Sequence, residues 1–467
     1  MDRVDVGGWV PMRWPWSDPG TLELLAGTPV SCLVVPWADG SPADEARPEA
    51  LRPLVAAAQG RGLAVVGWVS GTADLRRAAG AARARGLAAL ATESTDTVEG
   101  LDVLRFRKRG VASLPPSGFL GDAEAAWPGM RPFLRTKDVD AMSGATSRPW
   151  IDSNAWYGRL ARALLAPRTL WLAFEPPDPG PPLGADAYLQ AIADTEIAGA
   201  RWMVSLDPSL RDGLAAGRHD ARETWARITR GLAFFEAHRA WRAWEPVGQI
   251  GVVSDYAGEN EFMAFEVLNL LARRNGLFRV LPAGRAEAEP LAGLDSVLCV
   301  DPGPPAPALA KKLYAFAEGG GTLVTPPGWA ARGVPDESAA FPRFRVYRCG
   351  RGRLAVARED FGDPDLVAED AQLLTSHRND RVRVFNLGFG QFQYATSADG
   401  SAGVLHTIAF PMPYPRGEMA AWFRKPWARG RVLSTGSETA AKRATIDGGV
   451  EFHLSAPPVY TALEVTA

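Results

Sequence analysis

The first half of the chain alternates short apolar runs with amphipathic segments up to about residue 245. This alternation is typical of repeated βα units, because each buried parallel strand is followed by a helix that covers the sheet. Helical patterns are found at 73–85, 155–165, 185–198 and 222–241. Eight apolar runs are predicted as strands: Val4–Val10, Val30–Trp37, Leu63–Ser70, Leu87–Thr92, Val103–Arg107, Trp150–Ser153, Thr169–Phe174 and Trp202–Leu206.

Eight strands within roughly 245 residues match the size of a (β/α)8 TIM barrel, which we predict over residues 1–245. Two connections depart from an ideal barrel. Almost no helix is predicted between residues 93 and 102, and residues 108–149 form a long connection rich in Gly and Pro. Long irregular connections inside a compact domain are usually lids or binding loops. We therefore expect the long connection to contribute to function.

The alternation of strands and helices restarts after Pro246. "IGVVS" is predicted as a strand, and further patterns of both kinds continue to about residue 335. They predict a small doubly wound, flavodoxin-like α/β domain over residues 246–335. The helix after "IGVVS" has one apolar face, formed by Phe262, Phe265, Leu268 and Leu271.

Residues 336–467 show a different pattern. Alternating segments such as "FRVYRCG", "RVRVFNLG" and "VYTALEVT" are separated by turns that contain Gly, Asp and Pro, with one helix near 365–375. Period-two alternation bounded by turn residues predicts an antiparallel β-sandwich. The chain is thus predicted to contain three domains, which its length of 467 residues allows.

Composition excludes several classes of partner and compartment. Charged residues make up 22% of the chain, the net charge is -2 and no basic cluster stands out, so nucleic acid is not an expected partner. No apolar run approaches the roughly 20 residues of a membrane span, and the N-terminus lacks the pattern of a signal peptide. We expect a cytoplasmic protein, although a secreted or periplasmic protein whose signal peptide was removed would look the same.

The sequence supports neither a metal site nor a cofactor. The five histidines form no HxH or HExxH pattern, and Cys32, Cys299 and Cys349 are too few and too far apart for a disulfide framework or a zinc site. "GGG" at 319–321 lacks the flanking residues of a phosphate-binding loop. We therefore predict no metal and no nucleotide cofactor.

Four carboxylates follow or end predicted barrel strands. Barrel active sites lie at the carboxyl ends of the strands, because the βα loops converge there. Glycoside hydrolysis needs two carboxylates, one as the proton donor and one as the nucleophile or base. A carboxylate at such a position can equally cap a helix or pair with an arginine. The four are Glu93, Asp152, Glu175 and Asp207.

Two stretches of the second domain, Ile250–Asn275 and "AFAEGGGTLVTPP" at 315–327, resemble the amidotransferase-like "trimerisation" domain of family 42 β-galactosidases. The order of barrel, amidotransferase-like domain and β-sandwich resembles that family over the whole chain. The resemblance implies a carbohydrate substrate and a homo-oligomer formed through the middle domain. A working amidotransferase would need a cysteine nucleophile and a histidine, but Cys299 lies within a predicted strand and residues 246–335 contain no histidine.

The resemblance also implies catalytic roles, because in that family's clan the proton donor follows strand four and the nucleophile follows strand seven. On the predicted strand count these positions are Glu93 and Glu175. The clan's proton donor normally follows an asparagine, whereas Thr92 precedes Glu93 here. Asp152 is therefore an alternative proton donor, and Asp207 remains a candidate for the site. Asn154, two residues beyond Asp152, could bind a sugar hydroxyl or begin the next helix.

Tryptophan supports a carbohydrate ligand. Thirteen of the 16 tryptophans precede residue 246, and sugar C–H groups stack on aromatic faces. We predict substrate contacts from four of them: Trp9, Trp37, Trp68 and Trp127. The leading hypothesis is a glycoside hydrolase; the alternatives are another barrel hydrolase that uses Asp152 and Asp207, and a carbohydrate-binding or assembly protein without activity.

Overall fold

The computed structural model describes residues 5–107, 119–131, 150–165, 169–411, 417–446, 448–455 and 459–467. The chain forms two compact units, one of residues 1–129 and 167–242 and the other of residues 130–166 and 243–467. No helix within the described ranges combines the length and the apolar character that crossing a membrane requires. The predicted fold class is confirmed: a barrel, a mixed α/β sheet and a pair of antiparallel sheets are all present.

The first unit contains a closed eight-stranded barrel. Neighbouring strands pair in parallel, and the first and last strands meet where Met12 bridges Val204 and the Arg13 N–H donates to the Val204 carbonyl at 2.8 Å. In chain order the strands are β1 Pro11–Arg13, β2 Cys32–Ala38, β3 Ala64–Val69, β4 Ala89–Thr92, β5 Asp102–Arg107, β6 Leu120–Asp122, β7 Leu170–Ala173 and β8 Arg201–Met203.

Helices surround this barrel on the outside. Trp37 on β2 points outward, is fully buried, and its indole Nε1–H donates to the Ala78 carbonyl at 3.0 Å. Alternate residues point into the barrel, where Val34, Ala91 and Trp171 belong to one buried cluster. The helices of this unit are Arg47–Ala50, Arg52–Gly60, Leu75–Ala84, Ala185–Glu196, Pro208–Ala215 and His219–Ala237.

Two of the eight strands differ from the prediction. The first strand is Pro11–Arg13 and not Val4–Val10, and the sixth is Leu120–Asp122 and not Trp150–Ser153. Residues 150–152 form a separate two-stranded ribbon with Gly129–Arg131. Both real strands are only three residues long and lack an apolar run, so period and composition do not mark them. Much of the long connection at 108–149, namely 108–118 and 132–149, lies outside the described residues.

The second unit contains a seven-stranded mixed sheet with helices on its faces. Five parallel strands run in the order second, first, third, fourth, fifth, which is a doubly wound arrangement, and two antiparallel strands extend one edge. Across the sheet the strands are Phe278–Pro282, Ile250–Ser254, Ser296–Cys299, Thr322–Thr325, Gly352–Ala357, Phe344–Cys349 and Val334–Pro335. The helices are Ala155–Leu165, Glu261–Arg273, Ala283–Ala286, Pro307–Glu318 and Pro364–Thr375.

This sheet extends beyond the boundary expected at residue 335. The strands at 344–357, which we predicted in the sandwich, belong to the mixed sheet, and helix Pro364–Thr375 packs against helix Glu261–Arg273. Helix Ala155–Leu165 also joins this unit, because its Trp156 ring lies 5.3 Å from the Phe265 ring. A segment predicted inside the barrel therefore contributes to the core of the second unit.

The remaining strands form two antiparallel sheets around a common core that includes Met419, Trp427 and Phe452. The six-stranded sheet contains, in order, Glu245–Pro246, Gly390–Thr396, Ala402–Ala409, Tyr460–Thr466, Arg429–Ser434 and Ser437–Ala440. The four-stranded sheet contains, in order, Val382–Phe385, Glu418–Phe423, Gly449–Ser455 and Lys442–Ile446.

Candidate active site at the mouth of the barrel

Arg13 and Glu175 meet at the carboxyl ends of β1 and β7. Arg13 is the last residue of β1, Glu175 follows β7 by two residues, and Arg13 Nη1 donates to Glu175 Oε2 at 2.8 Å. The side chain of Arg13 is 17% exposed, whereas that of Glu175 is 71% exposed. Closure of the barrel brings these ends together, because β1 and β7 both flank β8.

Glu93 lies at the same end of the barrel. Ala89 and Ala91 on β4 belong to the buried cluster inside the barrel, and Glu93 continues their alternation just beyond the strand end. Burial lowers the pKa of Arg13, and the negative charges of Glu175 and then Glu93 oppose that change. Both carboxylates are thus close enough to Arg13 to interact electrostatically with its guanidinium group, which stays positively charged at any ordinary pH.

Trp68 forms an aromatic wall beneath Arg13. It lies near the end of β3, on the inward face, and the Arg13 guanidinium carbon is 4.4 Å from the centre of its ring. The Trp68 ring in turn packs edge-on against Phe106 of β5 at 4.9 Å. A cation held over an aromatic face is stabilised by the ring quadrupole, so Arg13 is held in place by Trp68 as well as by Glu175.

One polar residue at the barrel mouth was not predicted from the sequence. Ser205 continues the inward alternation of Met203 on β8; it is buried, and its hydroxyl has no hydrogen-bond partner within the described ranges. It lies at the end of the predicted strand Trp202–Leu206, so the sequence could have identified it. The buried Asp122 at the end of β6 does not belong to the mouth, because its neighbour Gly121 pairs with the inward Phe106 and Trp171, and Asp122 therefore faces the outside of the barrel.

Asp207 serves as a helix cap. Its Oδ1 accepts from the Leu210 N–H at 3.1 Å, which caps helix Pro208–Ala215, and its Oδ2 accepts from the Tyr188 hydroxyl at 2.9 Å. Burial raises the pKa of Tyr188 above its ordinary value. Asp207 is fully buried, and both of its carboxylate oxygens accept hydrogen bonds within the fold, which accounts for its presence at this position. We assign it to structure and not to the site.

Asp152 and Asn154 do not lie on a barrel strand. Asp152 belongs to the ribbon in the second unit, where its Oδ1 is 3.8 Å from Arg273 Nη2. Asn154 is buried directly before helix Ala155–Leu165 in the same unit. Their prediction as site residues depended on counting Trp150–Ser153 as the sixth strand, and that assignment is wrong because Leu120–Asp122 holds the position between β5 and β7.

Of the four predicted tryptophans, only Trp68 lies beside the carboxylates. Trp9 precedes β1, so it lies toward the amino end of the barrel, with its ring 6.4 Å from that of Trp171. Trp37 packs outside the barrel, as described above. Trp127 packs against Phe174, Tyr188 and Trp202 with ring separations of 5.3 to 5.8 Å. Trp9 thus packs against the interior cluster of the barrel, and Trp37 and Trp127 fill space between strands and helices.

The described part of the chain contains no group of three His, Cys, Asp or Glu side chains arranged to hold a metal ion. The site consists of Arg13, the carboxylates of Glu175 and Glu93 near it, and the ring of Trp68. That arrangement can hold a negative charge, supply a second carboxyl group for proton transfer and present an aromatic surface.

Neither a protein-family model nor a curated protein matches the sequence. Among solved structures, α-L-fucosidase isoenzyme 2 from Paenibacillus thiaminolyticus matches with a TM-score of 0.57 at 11% sequence identity, over 96% of this chain and 95% of that chain. The chain shares the fold of a glycoside hydrolase. The architecture expected from the family 42 resemblance is therefore confirmed at the level of the fold.

Two further structures match with TM-scores below 0.5. The exo-β-1,4-mannosidase Op5Man5 from Opitutaceae bacterium strain TAV5 matches with a TM-score of 0.47 at 13% identity, over 79% of this chain and 95% of that chain. A β-galactosidase from Rahnella sp. R3 matches with a TM-score of 0.44 at 13% identity, over 90% of this chain and 66% of that chain.

Proposed function

We propose that the barrel hydrolyses a glycosidic bond of an oligosaccharide or glycoside, with Glu175 and Glu93 as the pair of carboxylates. The observation that carries the proposal is that Glu175, which accepts from Arg13 at 2.8 Å, and the exposed Glu93 both follow strands at the carboxyl end of the barrel. Two acidic groups at one strand-end site are the minimum that this chemistry needs. The fold shared with a glycoside hydrolase supports the same reaction class.

Glu175 is the proposed nucleophile or base. The hydrogen bond from Arg13 holds its carboxylate in one position, as both roles require. Its side chain is 71% exposed, so a sugar ring can reach the carboxylate oxygen that does not accept from Arg13. The Arg13 guanidinium group packs on the face of the Trp68 ring, which fixes the direction from which Arg13 donates to Glu175.

Glu93 is the proposed proton donor. It is exposed and follows β4 directly, so a bound substrate can reach its carboxyl group, as proton donation requires. Asp152, the alternative donor considered from the sequence, is not on a strand of the barrel. Glu93 is therefore the partner that we propose for Glu175.

A second candidate function is sugar binding without hydrolysis. The ion pair between Arg13 and Glu175 favours it, because a carboxylate that is satisfied by an arginine can be purely structural. Thr92 also favours it: the residue before Glu93 is fully buried, and its hydroxyl accepts from the Ser94 N–H at 3.1 Å. It therefore does not provide the amide that precedes the proton donor in the clan that the sequence resembles.

Hydrolysis of a panel of nitrophenyl glycosides, combined with calorimetric sugar binding, separates the two functions. If the barrel is an enzyme, Glu175→Gln and Glu93→Gln each lower kcat/KM by roughly 10²–10⁴-fold without loss of binding. The matched controls are Asp178→Asn, which breaks a 3.1 Å ion pair with Arg211 close to Glu175 in sequence, and Glu99→Gln, which changes another exposed acid close to Glu93.

Turnover that survives both active-site substitutions would rule out this carboxylate pair. Sugar binding by the unmodified chain with no turnover of any glycoside in the panel would establish the second function. Equal losses in the control variants would show that the substitutions act through the fold. Thermal unfolding of every variant, followed in parallel, identifies that last case directly.

A further inference from the structure

The four-stranded sheet of the second unit carries a concave patch on its outer face. The concavity has a volume of about 310 Å³. We name it the arginine shelf, after the residues that dominate its lining: Arg378, Arg383, Phe385, Trp422, Arg424 and Glu451.

The strand register places this patch on the side of the sheet away from the core. Trp422 pairs with Arg383 on one neighbouring strand and with Glu451 on the other, so the three side chains share a face. The adjacent row of the same strands includes Phe423 and Val450, which are buried in the core between the two sheets. Because successive side chains of a strand alternate between faces, the shelf faces outward.

Two of the three arginines are held in fixed positions. Arg383 Nε donates to Asp380 Oδ2 at 2.8 Å, and its guanidinium carbon is 5.1 Å from the centre of the Trp422 ring. Arg424 Nε donates to the Asp380 carbonyl at 2.9 Å, and its guanidinium carbon is 5.9 Å from the centre of the same ring. Nη2 of each arginine also donates to a backbone carbonyl, that of His377 for Arg383 and that of Arg378 for Arg424. Each guanidinium group has five N–H donors, so three of the five remain for a ligand on each arginine.

The shelf combines an excess of positive charge with an apolar surface. Three guanidinium groups stand against two carboxylates: Asp380, which pairs with Arg383, and Glu451, which lies 2.8 Å from His453 Nε2. Arg378 is exposed, and its guanidinium makes no hydrogen bond within the ranges that the structure describes. Phe385 and Ile446 are 44% and 39% exposed in the same patch and supply its apolar surface.

We propose that the arginine shelf binds a carboxylated saccharide, that is, a sugar chain that contains uronic acid units. A guanidinium group matches a planar carboxylate with two parallel hydrogen bonds, and the C–H face of the same sugar ring would pack on Phe385. A neighbouring cavity of about 520 Å³ shares Arg383 and Phe385 with the shelf. It provides room for adjoining sugar units.

This site lies in the second unit and does not depend on hydrolysis in the barrel. Calorimetric titration of the full-length chain with tetragalacturonate at low salt tests it, with neutral galactotetraose at the same concentrations as the comparison. We expect the acidic sugar to bind, the neutral sugar to bind at least about tenfold more weakly, and added salt to weaken the acidic interaction.

Substitutions then assign the binding to the shelf. Arg378→Ala and Phe385→Ala change exposed side chains, and each is expected to weaken tetragalacturonate binding about tenfold. Arg76→Ala, which removes an exposed arginine from a barrel helix, should leave binding unchanged. The shelf variants should keep any activity toward neutral nitrophenyl glycosides, so failure of this proposal is distinguishable from failure of the proposed hydrolysis.

Several outcomes would overturn the proposal. These are absence of tetragalacturonate binding, equal binding of the neutral sugar, and binding that neither shelf variant weakens. Tighter binding of a sulfated tetrasaccharide or of a single-stranded oligonucleotide of matched charge would also overturn it, because the shelf would then select for charge or for bases and not for a sugar carboxylate.

Discussion

Replacement of Arg13 by methionine removes the cation of the barrel mouth and keeps an unbranched side chain over Trp68. Two charges about 4 Å apart interact by about 4 kcal/mol at an effective dielectric constant of 20. Glu175 is 71% exposed, so solvent screening reduces this to about 0.2–1 kcal/mol. A tenfold change in rate corresponds to about 1.4 kcal/mol, and the expected fall of kcat/KM in Arg13→Met is therefore about 1.4- to 5-fold.

The direction follows from the contact that is lost. Without Arg13 the Glu175 carboxylate loses the hydrogen bond that positions it. If Glu175 acts as nucleophile or base, kcat/KM falls in Arg13→Met because the carboxylate is held less often in the reactive position. The loss is far smaller than in Glu175→Gln, because the carboxylate itself remains.

The assay is the initial rate on the best nitrophenyl glycoside at one fixed pH, at substrate concentrations well below KM. Arg211→Met is the matched control, since it breaks the ion pair of Arg211 with Asp178, which is close to Glu175 in the sequence. Unchanged activity in Arg13→Met, or a loss as large as that in Glu175→Gln, would refute the positioning role of Arg13. An equal loss in Arg211→Met would attribute the effect to the general charge of the barrel.

Two further predictions concern the stability of the barrel. Glu196 is buried between Arg242 and Arg201, at 2.5 and 3.7 Å, and both arginines also pair with Glu236. Glu196→Leu leaves the two cations with one carboxylate between them, so the expected loss is about 1–3 kcal/mol. Glu196→Leu combined with Arg242→Leu should cost less than the single change, because Arg201 and Glu236 then balance each other. Urea unfolding followed by tryptophan fluorescence measures both, and a larger loss in the double variant would contradict this account. A methyl group on Gly121 would lie 2.4 Å from the Phe106 ring, so Gly121→Ala should destabilise the barrel by about 1–3 kcal/mol. The control is Gly80→Ala, which has open space around it and should leave the stability unchanged or raise it. Equal changes in the free energy of unfolding would show that the contact with Phe106 does not limit packing.

Sequence patterns identified the barrel strands that are long and apolar and missed those that are short. β2, β3 and β7 are continuous apolar runs and lie where they were predicted. β1 includes a proline and an arginine, and β6 is Leu-Gly-Asp, so their membership of the sheet depends on pairing with residues far away in the sequence. The same limit explains the strands at 344–357, whose alternation suits a sandwich and a mixed sheet equally.

The candidate site could be predicted only in part for the same reason. Glu93 and Glu175 follow strands that the apolar pattern identifies, and both carboxylates interact electrostatically with Arg13. Arg13 was not predicted, because the sequence placed β1 before it. Asp152 was predicted because an apolar run and a helix flank it, yet those elements belong to the other unit.

Helix Ala155–Leu165 has a consequence for how the chain reaches its folded state. Its Trp156 and Leu160 are buried, and the helix packs against Glu261–Arg273 and strand Phe278–Pro282, which the ribosome produces about a hundred residues later. During synthesis these apolar side chains lack their packing partners while the last two barrel strands are made. A chain cut after residue 245 would keep them exposed permanently, so the barrel is expected to be prone to aggregation when it is produced without the rest of the protein.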